Sequence, residues 1–311
     1  MSRLSLLVLL VAPLVGCGDA SDDLQPFTLR FAAVADGADV GCTSSVGGFG
    51  PAGDAHIGVN DLRFYVSNLR FEDAQGKPLD VTLDENEFQL TTSAGSVALV
   101  DLTGNSEGSC SSTAIAYAEG TARTNLQITG KADVSRVAAV SFDVGVPQAM
   151  MKEVIAANTP EGAPSPLDEM FWSWNSGYRH FVFNFAVTSA AGERGEGYVH
   201  IGSTDCAPAS GGLALSDRAS CGFVNTPKVR LVGFDLEHQR VVLDLHKLAA
   251  GLGFVAPVYD PSTGTPIGEG PGVACHSSPT QADCPFVFGA FGLDMTTGVA
   301  DASADTVFAA Q

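Results

Sequence analysis

The sequence predicts an all-β protein: an antiparallel sandwich or barrel-like core with a few short helices and long disulfide-stapled loops. Three observations carry this. Apolar residues alternate with period two in one segment after another, Gly, Asn and Asp punctuate those segments at short intervals, and helical periodicity is confined to brief stretches. In FTLRFAAVA, Phe27, Leu29, Phe31 and Ala33 fall on one face, and in FVFNFAVT so do Phe181, Phe183, Phe185 and Val187. Successive side chains of a strand point to opposite faces, so this is the pattern of a half-buried strand.

Further strands are expected at LRFYVSNLRF (62–71), VTLDENEFQL (81–90), VALVDL (97–102), TNLQITG (124–130) and VAAVSFDV (137–144). GYVHIG (197–202), KVRLVGF (228–234) and QRVVLDL (239–245) complete the set. In LRFYVSNLRF the apolar parity changes between Phe64/Val66 and Leu69/Phe71, which predicts a bulge. The helical exceptions are few. VPQAMMKEVIAAN (146–158) has Pro147 near its start and Met150, Met151, Val154 and Ile155 at helical spacing. APSPLDEMFWSW has room for one turn, and LDLHKLAAG ends at Gly251, a C-cap candidate. From Phe254 to Cys284 the density of Pro and Gly predicts a long loop.

Residues 1–16 have the form of a lipoprotein signal peptide: a basic start, a short apolar run, and Leu14-Val15-Gly16 before Cys17. Cys17 is the expected lipidated N-terminus, residues 17–26 a tether, and 27–311 a single domain. The apolar run from Leu4 to Val15 is shorter than the ~20 residues a spanning helix needs. Such a chain is anchored by its lipid in the bacterial envelope, facing the periplasm or the cell surface. Its 35 acidic and 16 basic residues give a formal charge of −19, which repels phosphate backbones and argues against nucleic acid as a partner.

With Cys17 lipidated, six cysteines remain, an even number in an exported chain, which predicts disulfides. Local closure favours Cys206–Cys221 and Cys275–Cys284, leaving Cys42–Cys110. A loop of ~15 residues closed this way is worth roughly 3 kcal/mol, enough to hold segments that bury little apolar surface. No C-x-x-C occurs, so a thiolate metal cluster is disfavoured.

No zincin motif, phosphate loop, strand-linked dinucleotide fingerprint or haem attachment site is present, and the chain is not expected to be a catalyst. Histidines are the candidate chemistry. Strand alternation in GYVHIG sets Tyr198 and His200 on one face against Val199 and Ile201 on the other. His200 is therefore either a ligand or a hydrogen-bonded sheet residue. His246 follows Asp244 by two, so in an extended strand the carboxylate would orient the ring. His180 is expected opposite the phenylalanine face, in solvent; His56 precedes a strand on a polar loop; His238 is expected at the surface. The only two tryptophans, Trp172 and Trp174, stand one residue apart in FWSWNSGYRH and would share a face if extended. They are core or interface packing, or oxidisable sites that a redox partner modifies.

DLRFYVSNLRF at 61–71, FDVGVP at 142–147, PSPLDEMFWSWNSGYR at 164–179 and HIGSTDC at 200–206 form an ordered set with Cys221, Asn225, and Cys275 and Cys284 before FGAFGL. With these blocks the mature chain resembles the MbnP-like family, the exported four-Cys-motif proteins of the metallo-mystery pair system. The resemblance implies a mainly β fold and copper binding. It also implies a di-haem partner, MauG-like or cytochrome c peroxidase-like, that oxidises a tryptophan to kynurenine, which then joins the copper site. Trp172 and Trp174 are the candidates for modification, and Trp174 is favoured because it adjoins the polar NSGY turn. His200 is the first choice of protein ligand, with His276, His56 and His180 as further candidates, since imidazole suits copper. Two departures stand out. Lys152 occupies the place of a family histidine after GVP, where Met150 or Met151 offers either a thioether donor or buried packing. His276 replaces a methionine that usually follows Cys275. The alternative reading is a β-sandwich module without metal, whose tryptophans and Tyr178 bind carbohydrate or protein.

Overall fold

The computed structural model describes residues 24–42, 44–103, 124–174, 177–206, 220–260 and 262–311. The signal peptide, Cys17 and most of the tether lie outside the described residues, as does Cys110 and with it the expected Cys42–Cys110 pairing. In chain order the strands are β1 (Gln25–Ala35), β2 (Ala38–Asp39), β3 (Ser45–Phe49), β4 (Ala55–Glu72), β5 (Pro78–Leu79), β6 (Val81–Leu83), β7 (Gln89–Thr92), β8 (Gly95–Asp101) and β9 (Gln127–Ala132). There follow β10 (Ala139–Val144), α1 (Gln148–Ala157), β11 (Phe171–Ser173), β12 (Gly177–Thr188), β13 (Arg194–Gly202), β14 (Lys228–Val232) and β15 (Val241–Asp244). The described chain ends with α2 (Leu245–Ala249), β16 (Val255–Tyr259), β17 (Pro266–His276), α3 (Cys284–Ala290) and β18 (Phe308–Ala310). None of these helices is long and apolar enough to cross a membrane.

The strands build two sheets. The smaller runs β18-β15-β1-β9-β6; the larger runs β14-β10-β4-β12-β13-β17-β16, with β3, β5 and β8 also on the long strand β4. Pairing is antiparallel except for β1 with β15 and β13 with β17, so the sandwich is mixed. The predicted apolar parity is what joins the layers. Phe27, Leu29 and Phe31 of β1 meet Phe64 and Phe71 of β4 and Phe181, Phe183 and Phe185 of β12 in one buried cluster. Their rings meet edge to face, Phe27–Phe71 at 5.0 Å and Phe31–Phe64 at 5.9 Å between centroids.

The bulge in β4 is present. Asn68 has φ +52°, and the register against β10 slips between Ser141 and Asp143. The extra residue returns Phe71 to the face already occupied by Phe64 and Val66, which is why the parity of the sequence changes there.

The opposite face of the large sheet is also covered. α1 lays Met150, Met151, Val154 and Ile155 against Tyr65, Leu99, Tyr178 and Val182. The segment before β11 closes beside it, the Tyr65 hydroxyl lying 2.8 Å from the carbonyls of both Pro166 and Glu169. Three expectations change. The single strand expected at 81–90 is two, β6 and β7, which lie in different sheets. The stretch from Phe254 to Cys284 is not a loop but the β16–β17 hairpin and its exit, because its prolines and glycines sit on a strand pair at the sheet's edge where missing N–H donors cost little. α2 is capped by Ala250, one residue before Gly251. Disulfides join Cys206 to Cys221 and Cys275 to Cys284 as expected.

Candidate metal centre

β13 keeps its predicted alternation: Val199 and Ile201 enter the core, and His200 takes the other face with Tyr198. β17 runs parallel beside it in a register that sets His200 level with His276. The two imidazoles are 4.7 Å apart between centroids, and their Nδ1 atoms lie 2.9 Å apart. His200 is 1 % exposed and His276 partly buried. On the other side of β13, Asn184 of β12 holds His200, its Oδ1 lying 2.7 Å from Nε2. An amide oxygen only accepts, so Nε2 carries the proton and the Nδ1 lone pair of His200 is turned toward His276. This is the second-sphere arrangement that orients a ligating histidine.

Electrostatics keep both rings neutral. Burial lowers the pKa of His200 well below the usual histidine value, and the charges of His276, Arg179 and Arg63 lower it further. His276 is lowered by burial first and by Arg179 second. Behind the site, Arg63 donates from Nε and Nη2 to the two oxygens of Asp61 and from Nη1 to Glu169, each at 2.7 Å. Asp101, adjacent in the same sheet, is pushed up to about 6 by burial.

Trp172 closes the group. Its ring centroid is 5.9 Å from that of His200, and its Nε1–H donates to the Ser203 carbonyl at 3.1 Å. The Arg179 guanidinium lies 5.9 Å from the indole centroid, and Arg179 also donates to the Phe171 carbonyl. Gly202 makes this approach possible, because a Cβ there would fall 2.7 Å from Trp172 Nε1. Tyr198 stacks on His276 at 6.0 Å.

Trp174, favoured from sequence, goes elsewhere. The strand is irregular between Phe171 and Ser173, so the two indoles do not share a face. Trp174 donates to the Asn158 carbonyl at 3.2 Å and packs edge-on against Phe171 in the cluster under α1. His180 is not in solvent. It is fully buried on β12, its Nδ1 3.1 Å from the Asn225 carbonyl and its Nε2 3.2 Å from Ser203 Oγ. The reason is that α1 and the segment around Asn225 cover this face of the sheet, which strand parity alone leaves open. Burial takes its pKa down to about 4, and its role is to seat Ser203, whose carbonyl holds Trp172.

His56 lies at the start of β4 rather than on a loop, exposed, with its ring against Gly47. His246 is not oriented by Asp244, whose carboxylate caps α2 by accepting from the backbone of His246 and Lys247. Asp36 and the Gly47 carbonyl flank the His246 ring instead, each at 3.0 Å. His238 is exposed and paired with Asp235. Met150 and Met151 are buried helix packing, Met151 filling the space over Gly177.

Of the candidates named from sequence, the fold thus brings His200, His276 and Trp172 together and leaves Trp174, His56 and His180 outside. Among the described residues no three His, Cys, Asp or Glu converge as a metal-binding group. The histidine pair supplies two nitrogen donors whose chemistry suits copper. Sequence reading missed Asn184, Arg179, Ser203 and the Arg63 network. Asn184 shares parity with Val182 and His200's cross-strand row, a cue visible in FVFNF, whereas the others depend on contacts between distant segments.

Comparison with known proteins gives two matches. The family model described as MbnP matches residues 24–262. Among solved structures, MbnP from Methylosinus trichosporium is 26% identical, with a TM-score of 0.67, covering 92% of this chain and 98% of that one. No curated protein sequence matches at a significant level.

Proposed function

Since this chain belongs to the MbnP family, we propose that it is an exported, lipid-anchored copper-binding protein rather than an enzyme, completed when a di-haem partner oxidises Trp172 to kynurenine. The observation that carries this reading is the adjacency of Trp172 to two neutral imidazoles, His200 and His276, whose Nδ1 atoms face each other.

Indole is a poor ligand, and its N–H is already committed to Ser203. Oxidation changes that. Cleavage of the indole C2–C3 bond would take two oxygen atoms from water and release four electrons and four protons, two peroxide molecules would accept these and leave as water, and hydrolysis would then release formate; the partner's haem would supply the redox chemistry. The product carries an aromatic amine and a ketone, both able to bind a metal. His200 and His276 would hold copper through Nδ1, with residue 172 as co-ligand; the group so bound supplies a soft-metal centre for storage or transfer. Asn184 keeps His200 in the ligating tautomer, and Arg179 and Ser203 hold the indole in place.

Family membership supports the copper assignment, and Trp172 rather than Trp174 is chosen because only its ring reaches His200. The parting of the two indoles also removes the common platform that a sugar-stacking module would use. Peptide mass spectrometry of the native-host protein tests the reading. The Trp172 peptide should show the gain of two oxygens and loss of carbon monoxide, together with stoichiometric copper. Intact indoles and no copper affinity would refute it.

A further inference from the structure

β17 ends at His276, and the chain turns at once. Ser277 has φ +57°, a left-handed conformation that a residue other than glycine keeps only where its surroundings fix it. The turn carries the backbone away from β13 while the side chain reaches back to it. Ser277 Oγ accepts from the Gly202 N–H at 2.9 Å and donates to the His200 carbonyl at 3.1 Å. Donor and acceptor of the hydroxyl are both matched, and the residue is buried. It does for the end of β13 what the backbone of a longer β17 would have done.

The other edge of β17 is completed in the same manner. β16 stops pairing with it at Pro271. Beyond that point the amides of Gly272, Ala274 and His276 donate to the Phe254 carbonyl at 3.1 Å, an Asp283 carboxylate oxygen at 2.9 Å and the Gln281 side-chain carbonyl at 2.6 Å. Asp283 stands at the N-cap of α3 yet makes no side-chain capping bond there. Residues 277–283 thus take the place of an edge strand, and the Cys275–Cys284 disulfide closes them onto β17.

Ser277 is where this device meets the metal centre. It is the chain neighbour of His276, with Cα atoms about 3.8 Å apart, and its hydroxyl bonds on β13 to His200 itself. Ligand donors must be held within about 0.5 Å of the productive geometry, which side chains on two different strands do not achieve by strand pairing alone. Pairing of β17 with β13 ends at the level of the two histidines, so the next rung has to come from a side chain.

We propose that Ser277 is a positioning residue of the metal centre, its hydroxyl fixing His276 against His200 in the metal-free chain. This deepens the copper reading above and rests on it.

The test compares wild type with S277A, S277G, H276A and H276A/S277G, each co-expressed with the oxidising partner and its modification verified by mass. Both single serine variants lack the hydroxyl, and glycine suits the left-handed turn, so S277G reports on the hydroxyl even where S277A does not fold. S278A is the control, because the Ser278 hydroxyl bonds Thr280 on the loop. Copper affinity is measured by competition with a chelator, folding by melting temperature, and the bridge by amide hydrogen exchange of the metal-free protein. S277G should bind copper about tenfold more weakly than wild type, and its Gly202 amide should exchange about tenfold faster, with S278A unchanged in both. H276A/S277G should bind no more weakly than H276A, since a residue that acts through His276 has nothing further to lose. Wild-type affinity in S277G, or a loss in H276A/S277G beyond that of H276A, overturns the proposal and leaves the hydroxyl a purely structural role. A wild type that binds no copper overturns the underlying reading and the proposal with it, a result distinct from a wild type and S277G that bind equally well.

Discussion

His200 and His276, separated by 76 residues in sequence, face each other through their Nδ1 atoms at 2.9 Å. Each is expected to be necessary for copper. H200A and H276A should each lower the affinity of the modified protein by at least about tenfold, on the scale of losing an oriented ligand. H56A and H238A should leave it unchanged, because those rings are exposed and remote from the pair. Competition titrations with a chelator of known affinity decide the matter, and equal affinities for all four variants would remove the pair from the site.

Copper retention should resist acid. Both imidazoles have lowered pKa values, chiefly from burial, so protons do not compete at the ordinary histidine pKa of about 6.5. Affinity measured from pH 8 downward should stay flat through that value and fall only well below it. A fall centred on the ordinary value would mean that the ligands are solvent-exposed imidazoles elsewhere.

The two tryptophans are separable. W172F should abolish the mass change and W174F should keep it, since only Trp172 adjoins His200, while Trp174 is fixed under α1 by Asn158 and Phe171. Tandem mass spectrometry after co-expression with the oxidising partner reads this directly. Modification confined to Trp174 would relocate the site.

His180 makes stability pH-dependent. Its pKa is about 4 in the folded protein against 6.5 when unfolded, because the buried ring must stay neutral. The unfolded chain therefore binds a proton that the folded chain refuses as pH falls between those values. This contribution is fully present above about 6.5 and lost by about 4, a change of roughly 3 kcal/mol. The stability advantage of wild type over H180Q should shrink across that window in denaturant titrations. An advantage independent of pH would show that the ring is not buried neutral.

Arg63 is paired in the interior with Asp61 and Glu169, all three side chains at most 4% exposed. R63M would leave two buried carboxylates uncompensated and should cost about 3–5 kcal/mol. Urea denaturation of R63M beside R63M/D61N/E169Q separates the causes: the triple variant should recover part of the loss. No recovery would place the effect in packing rather than charge.

The sequence by itself determined the sandwich, its core face, the β4 bulge, α1 and the closure of Cys206–Cys221 and Cys275–Cys284. These are short-range matters: parity, spacing and loop length are written in consecutive residues. Parity also turned His200 and Tyr198 away from the core. It carried no information about what covers that other face. α1 and the segment around Asn225 bury His180 there, and an irregular step in β11 parts two indoles that alternation would have kept together. The adjacency of His200 and His276 was likewise a tertiary decision, because it arises from a parallel strand pairing across a long connection. Local periodicity tells a side chain which way to point, but only the packed chain decides what it meets.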